Sequence, residues 1–283
     1  MTENSYIVES DYVHFSPEAC LIEYYAEMGD ENRFLMDFHA WCSHFIASEC
    51  PDGQNLALAD IGGGPTIYQL ISTARLVEDI HFYEHGEANR RRVEYWLRET
   101  GDLFWDAYFF EGLARENHYQ NGHGSNAPVT SLAVEQRKAQ LPAKLTRCAP
   151  CDLLHHAALG QNEVPPADYG IVSSAFCVEA ISDDRDIFMR GMDNITSLCA
   201  KGGYLMLTMV KNCSYYPAGN RFFPAYPVDE NIMKEVLESR GFDVIKIATA
   251  EAEPLDRGYE GLLGILARQT RSLGGLVTTI EKP

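Results

Sequence analysis

The chain has 283 residues, 46 % of them hydrophobic, enough to bury a sizeable core and too many for wholesale disorder. Its 41 acidic against 23 basic side chains give a formal charge of −18. That balance argues against a nucleic-acid partner, which is gripped by clustered Lys and Arg, and against an anionic membrane surface.

The N-terminal stretch, MTENSYIVESDY, is polar and acidic, without the basic and apolar regions of a secretion signal. No apolar run approaches the ~20 residues of a membrane span; the longest, 204–210, suits a buried strand. A soluble, cytoplasmic protein is expected. Ser16 then Pro17 predicts an N-cap and a first-turn proline, and 18–28 carries apolar and aromatic residues at helical spacing. A second helix is expected over 33–48, so 1–50 reads as a helical cap. The run Leu-Ala-Leu-Ala-Asp-Ile at 56–61 reads as a buried parallel strand. Gly62-Gly63-Gly64-Pro65 breaks it, and 66–73 opens a helix. A strand over 80–83 and a helix over 87–98 follow. Residues 112–142, rich in Gly, Asn, His, Gln and Ala with no clear period, read as an insertion or lid. Strands are expected at 145–148, 169–173, 204–210 and 262–267. Helices are expected at 186–199, ended by Lys201-Gly202-Gly203, and at 228–240. Val164-Pro165-Pro166 reads as a linker, and 269–283 as a loose tail.

Eight cysteines are scattered through a chain too large to need disulfide staples. Cys148 and Cys151 form a lone CxxC with His155 and His156 close behind. Adjacent histidines do not easily converge on one ion, so no metal site is expected. The alternation of strands and helices predicts an α/β fold, one Rossmann-like doubly wound domain over 1–268, with ligands at the carboxyl ends of its strands.

Glycines directly after the first strand let the backbone approach a ligand that a Cβ would block. Glu84 lies 22 positions after Gly62, at the end of the second strand, where a carboxylate accepts both ribose hydroxyls. Asp152, after the third strand, would complete an adenosine pocket. Gly-Gly-Gly-Pro is not the G-x-G-x-x-G of dinucleotide folds, and Pro65 would disturb a pyrophosphate-binding helix start. S-adenosylmethionine (SAM) has no phosphates and needs no such helix, so the motif favours SAM over NAD.

Four stretches carry a wider likeness: His14-Phe15-Ser16-Pro17 with Tyr24-Tyr25; Asp60-Ile61-Gly62-Gly63-Gly64-Pro65-Thr66-Ile67-Tyr68-Gln69-Leu70; Ser174-Ala175-Phe176-Cys177-Val178-Glu179-Ala180; and Ser214-Tyr215-Tyr216 with Phe223-Pro224. With them the chain resembles, from about residue 12 to residue 268, the nicotinamide, phenylethanolamine and indolethylamine N-methyltransferases and their bacterial relatives. The resemblance implies a class I SAM-dependent methyltransferase fold with an N-terminal helical cap. It implies that Tyr25, Gly62, Gly63, Thr66 and Tyr68 hold the methionine end of SAM, Glu84 and Asn89 the ribose, and Asp152 with Leu153 the adenine. Tyr24, Gly64 and Ser174 join the expected cofactor-binding set. Phe176 and Glu179 match positions that face the acceptor amine, and Tyr215 or Tyr216 would wall its pocket with Phe15. Three departures stand out. The family's middle serine in the glycine loop is Gly63 here, the tyrosine that stacks on the acceptor in the nicotinamide branch is Cys20, and an acid after the fifth strand aligns with Thr208.

Methyl transfer is an in-line displacement, so positioning and desolvation are the main tasks. Phe15, Tyr24, Tyr25 and Phe176 are candidates for a cage around the sulfonium, and Glu179 for hydrogen-bonding the amine or taking its proton through water. Tyr25, Phe176 and Glu179 are the catalytic candidates. The leading expectation is N-methylation of a small amine in secondary metabolism, with S-adenosylhomocysteine as product. A second keeps the cofactor and changes the reaction: a lyase closing the SAM aminobutyrate to azetidine-2-carboxylate and releasing methylthioadenosine, which the changes at Cys20 and Thr208 would suit. A third is a non-catalytic SAM-binding protein. Oligomeric state is not legible.

Overall fold

The run at 56–61 is the central strand, and its alternation sets the two faces of the sheet. Leu58 packs into one apolar cluster, Ala59 and Ile61 into the other. The computed structural model describes residues 7–8 (main chain only), 12, 14–50, 56–98, 103–121, 128–155, 169–253 and 257–270. The elements in chain order are β1 (Ile7–Val8), α1 (Pro17–Tyr25), α2 (Asp30–Glu49), β2 (Leu56–Ile61), α3 (Tyr68–Ile71), a 3-10 turn (Thr73–Arg75), β3 (Val77–Tyr83), α4 (Glu87–Arg98), α5 (Asp106–Gln120), α6 (Ser131–Lys144), β4 (Leu145–Ala149), β5 (Tyr169–Ala175), α7 (Arg185–Ser197), β6 (Cys199–Lys211), β7 (Tyr215–Ala218), β8 (Arg221–Pro224), α8 (Glu230–Ser239), β9 (Phe242–Glu251) and β10 (Gly261–Gln269).

Seven strands form one sheet in the order β4-β3-β2-β5-β6-β10-β9. The pairs from β4 to β6 are parallel, and β10 runs antiparallel to both β6 and β9. The chain leaves β2 toward β3 on one side and returns as β5 on the other. This reversal of strand order opens a crevice at the carboxyl ends of β2 and β5. Side chains of α2, α4, α5 and α6 fill the cluster on one face, and those of α7 and α8 the other. Cover on both faces explains the continuous apolar runs of the central strands.

The cap starts as its sequence predicts, with Ser16 Oγ accepting from the Ala19 N–H at 3.1 Å and Pro17 in the first turn. Helix α2 crosses β10 at Gly264, where a Cβ would stand 2.7 Å from the Phe38 ring. A small sheet, β1-β8-β7, ties the N-terminal chain to the β7–β8 hairpin.

The lid expectation over 112–142 is corrected. Residues 112–120 complete α5 and 131–142 lie in α6, while 122–127 fall outside the described residues. Both helices are packed: Tyr108, Phe109, Val134 and Leu141 are buried. Their period was hidden because buried polar residues occupy core-side positions. Glu116 receives Arg137 at 2.7 and 3.0 Å, and Lys138 donates to Asp106 at 2.8 Å. The helix expected over 66–73 is the single turn α3 followed by the 3-10 turn. Gln269, assigned to the tail, is buried as the last residue of β10. Residues 271–283 and Val164-Pro165-Pro166 lie outside the described residues. Strand β9 was missed because its edge position leaves it half-buried, with Asp243 and Lys246 interrupting the apolar pattern. Among the described residues no helix is long and apolar enough to cross a membrane.

Candidate active site

A cavity of about 760 Å³ opens at the carboxyl ends of the parallel strands. Its wall is built from the turns after β2 (62–66), β3 (84–89), β4 (151–154) and β5 (176 onward), with Cys20, Tyr24 and Tyr25 of α1 and Glu31 and Asn32 of α2. Tyr12, Phe15, Tyr216 and Tyr259 close it. The volume falls within the ordinary range of small-molecule sites, about 300–1,000 Å³.

Gly62 and Gly64 take left-handed φ values of +67° and +61°. A Cβ on Gly62 would also stand 2.1 Å from Cys177 Sγ, so the β2 and β5 turns touch where the strand order reverses. A Cβ on Gly63 would stand 2.3 Å from Asp60 Oδ2 and 2.5 Å from Phe82 Cε2. The serine common in the resembling family has no room at that position in this chain. Under the loop, Thr66 Oγ1 donates to the Gly63 carbonyl at 2.7 Å, and Gln69 Nε2 donates to Asp60 Oδ2 at 2.9 Å. Burial pushes the Asp60 carboxyl up to about 7, against the opposing hydrogen bond from Gln69.

Glu84 is held by three donors at the mouth of this loop. Its Oε2 accepts from the Gly64 N–H at 3.0 Å, and its Oε1 accepts from the Gly86 N–H at 2.7 Å and from Asn89 Nδ2 at 3.1 Å. Asn89 Oδ1 is buried with no hydrogen-bond partner among the described residues. A fixed carboxylate beside an unpaired buried acceptor, over a glycine turn, fits a ribose with two adjacent hydroxyls. Asp152 and Leu153 line the same cavity. Asp152 also stabilises its own turn, its Oδ1 accepting from the Leu154 N–H at 3.0 Å and its Oδ2 lying 3.2 Å from His155 Nε2.

The opposite end is aromatic. Tyr25 lines the cavity and stacks on Tyr68, centroids 5.3 Å apart. Tyr24 donates its hydroxyl to the Pro217 carbonyl at 2.7 Å. Phe176 sits at φ +50°, a left-handed conformation costly for a bulky residue, of order 1–3 kcal/mol. Its N–H donates to the Thr208 carbonyl at 2.8 Å, which pins the ring at the cavity wall. Burial raises the Cys20 thiol to about 12, so the residue is neutral.

The structure therefore brings Phe15, Cys20, Tyr24, Tyr25, Gly62, Gly63, Gly64, Thr66, Glu84, Asn89, Asp152, Leu153, Phe176 and Tyr216 into one wall. Tyr68, Ser174, Thr208 and Glu179 are not in it. They are buried behind it, the first packed under Tyr25 and the next two within strands β5 and β6. Tyr215 points outward, 39 % exposed, because neighbours on β7 face opposite sides.

Glu179 is the sharpest correction to the expected facing of the amine. Its Oε1 accepts from the Val210 N–H at 3.0 Å, which ties the β5 turn to the end of β6, and its carbonyl accepts from the Tyr226 N–H at 2.7 Å, just after β8. Its Oε2 is buried without a hydrogen-bond partner among the described residues. Ala180 and Val210 line the cavity, so Glu179 stands one layer behind. Burial lifts its carboxyl from 4.5 to about 7, with the Val210 N–H opposing. A carboxyl whose pKa is raised by folding contributes stability in full below its unfolded value and loses it as pH rises through the folded one. Glu179→Gln is therefore expected to flatten the fall in stability between pH 4.5 and about 7. Urea denaturation across that window checks it, and parallel curves for the two proteins would contradict the buried, unpaired carboxyl. Asp60 has the same sign and keeps part of the slope in the variant.

Sequence reasoning missed Tyr12, Cys177, Glu31 and Tyr259. The first two flank or sit within the recognised stretches. Glu31 and Tyr259 carry no local signal, because their meeting is tertiary: Tyr259 donates to Glu31 Oε2 at 2.9 Å across 228 positions.

A seven-stranded sheet with β10 inserted antiparallel, and a glycine turn facing an acid at the end of the next strand, define a class I SAM-dependent methyltransferase fold. The chain belongs to the NNMT/PNMT/TEMT family, whose model matches residues 4–270. It is similar to phenylethanolamine N-methyltransferase of Sus scrofa, 33 % identical over 241 residues covering 84 % of this chain and 81 % of that one. It is also similar to nicotinamide N-methyltransferase of Homo sapiens, 24 % identical over 275 residues covering 94 % and 98 %. Among solved structures, the (4+2)-cyclase SpnF superposes with a TM-score of 0.50 at 12 % identity, covering 82 % of this chain and 81 % of that one, a likeness of fold alone. The protein is a SAM-dependent enzyme.

Proposed function

We propose that the enzyme methylates the nitrogen of a small amine. The observation that carries the reading is the continuity of the cavity. It runs from the glycine turn and Glu84 to an aromatic end walled by Phe15, Tyr24, Phe176 and Tyr216. An enzyme that closed a ring within its own cofactor would need no such second compartment. Nitrogen as the acceptor atom is supported by the names of the two relatives.

In this reading Glu84 and Asn89 hold the ribose of SAM, and Asp152 and Leu153 the adenine. Tyr25, Gly62, Gly63 and Thr66 hold the methionine end, with Tyr24 and Gly64 beside them and Tyr68 and Ser174 supporting from behind. Bound there, SAM supplies an electrophilic methyl carbon on a sulfonium. The chain's own residues align the nucleophile and exclude water, the two effects an in-line displacement needs. The faces of Tyr25 and Phe176 favour a cation by about 0.5–2 kcal/mol each. Glu179, buried behind Ala180 and Val210, acts as a positioning residue, holding the turn that carries Phe176 against the end of β6 through the Val210 N–H.

The test is incubation of purified enzyme with SAM alone and with benzylamine, 2-phenylethylamine and 3-methylpyridine. S-adenosylhomocysteine is expected only when an acceptor is present, with kcat lower in Glu179→Gln and SAM affinity nearly unchanged. Methylthioadenosine from SAM alone would replace this reading with the lyase.

A further inference from the structure

Tyr12 and Tyr216 stand side by side in the cavity wall, hydroxyl oxygens 2.7 Å apart. Both rings stack on the buried Phe223, with centroids 5.3 and 5.6 Å away and interplanar angles of 16° and 25°. The Tyr12 hydroxyl also donates to the main-chain carbonyl of Ala180. A carbonyl only accepts, so this bond uses the one proton Tyr12 has. Burial holds both phenols far above the ordinary tyrosine range, so both stay protonated at neutral pH. The proton between the two hydroxyls then belongs to Tyr216. With that proton committed, Tyr216 offers the cavity lone pairs only.

Three neighbouring polar side chains are engaged elsewhere. Tyr24 donates to Pro217, the Asn32 amide donates to the carbonyls of Tyr24 and Glu27, and Glu31 is occupied by Tyr259 and Arg257.

We infer that Tyr216 is a specificity-determining residue that selects acceptors whose reacting nitrogen carries an N–H, primary and secondary amines, over tertiary amines and pyridine-type nitrogens. The inference rests on the N-methyltransferase reading above. An O–H aimed at the nucleophile would occupy the lone pair that must attack, and Tyr12 removes that proton from play. An acceptor oxygen takes the N–H instead and leaves the lone pair free. As the nitrogen gains positive charge its N–H becomes a stronger donor, so the bond strengthens toward the transition state.

The test assays wild type, Tyr216→Phe and Tyr12→Phe with SAM and a matched series: benzylamine, N-methylbenzylamine, N,N-dimethylbenzylamine and 3-methylpyridine. Methylated products are read by mass spectrometry. Wild type is expected to favour the two N–H amines. Tyr216→Phe should lower kcat/KM for those two by roughly 10–100-fold, the scale of losing a hydrogen bond to a charged group, and shift the other two by less than about 2-fold. Tyr12→Phe returns a proton to Tyr216 and should lower kcat on benzylamine without raising KM, a split that mere loosening of the wall would not give. Equal loss on all four acceptors in Tyr216→Phe, or a wild-type preference for the N–H-free pair, overturns the inference while leaving N-methylation standing. No methylation of any of the four by wild type contradicts the underlying reading, and the inference with it.

Discussion

Glu84→Ala is expected to weaken SAM binding by about 100-fold, the scale of losing two charge-assisted hydrogen bonds at roughly 1.5 kcal/mol each. The side chain does two jobs that the substitution removes together. It is the acceptor facing the cavity at the end of β3, and it fixes the turn around it by accepting from Gly64, Gly86 and Asn89 at 3.0, 2.7 and 3.1 Å. Without it two main-chain N–H groups lose their partner, and the unpaired Asn89 Oδ1 is joined by an unpaired Nδ2. Glu84→Gln should recover little, because an amide NH₂ must then face donor N–H groups. Titration calorimetry measures the change. Wild-type affinity in Glu84→Ala would remove the ribose assignment and the anchor of the cofactor site with it.

Gly63→Ala is the second large effect. The new methyl would meet Asp60 Oδ2 at 2.3 Å, Phe82 Cε2 at 2.5 Å and Gln69 Nε2 at 2.7 Å. All three side chains are fully buried, so none has an outlet. Overpacking of this kind costs about 3 kcal/mol or more, and in a chain of this size that lowers the melting temperature by roughly 6–12 °C. The turn that carries Gly64 toward Glu84 moves with it, so SAM affinity should fall as well. Gly64→Ala is the control: a Cβ there meets nothing within 4 Å, and only its φ of +61° is penalised, by about 1–2 kcal/mol. A Gly63→Ala protein that melts and binds SAM as Gly64→Ala does would contradict the packing described under the loop.

What the amino-acid sequence revealed was governed by range. The β2 strand, its glycine break and Glu84 are close in the chain, and each follows from a local rule: an apolar run, a residue without a Cβ, a carboxylate one strand further on. Phe176 and Tyr216 were reachable through the recognised stretches, though their geometry was not. Nothing local announces that Phe176 would be held at φ +50°, or that of two neighbouring tyrosines on β7 only Tyr216 would face inward. Glu179 shows the limit most clearly. Its position in a recognised stretch suggested direct contact with an amine, yet the Val210 N–H draws it one layer behind the wall. The α5 and α6 helices were misread as a lid for a related reason. Glu116 and Lys138 are buried polar residues satisfied by partners 21 and 32 positions away, and a rule that equates polar with exposed fails there.

The central claim is that the methyl group of SAM leaves for the nitrogen of a second molecule. The most direct measurement uses SAM labelled with deuterium in that methyl group, incubated with the enzyme and benzylamine, with all products resolved by mass spectrometry. The label is expected on the amine nitrogen, with unlabelled S-adenosylhomocysteine formed in equal amount and none formed when the amine is left out. Label retained in methylthioadenosine, released whether or not the amine is present, would contradict the account.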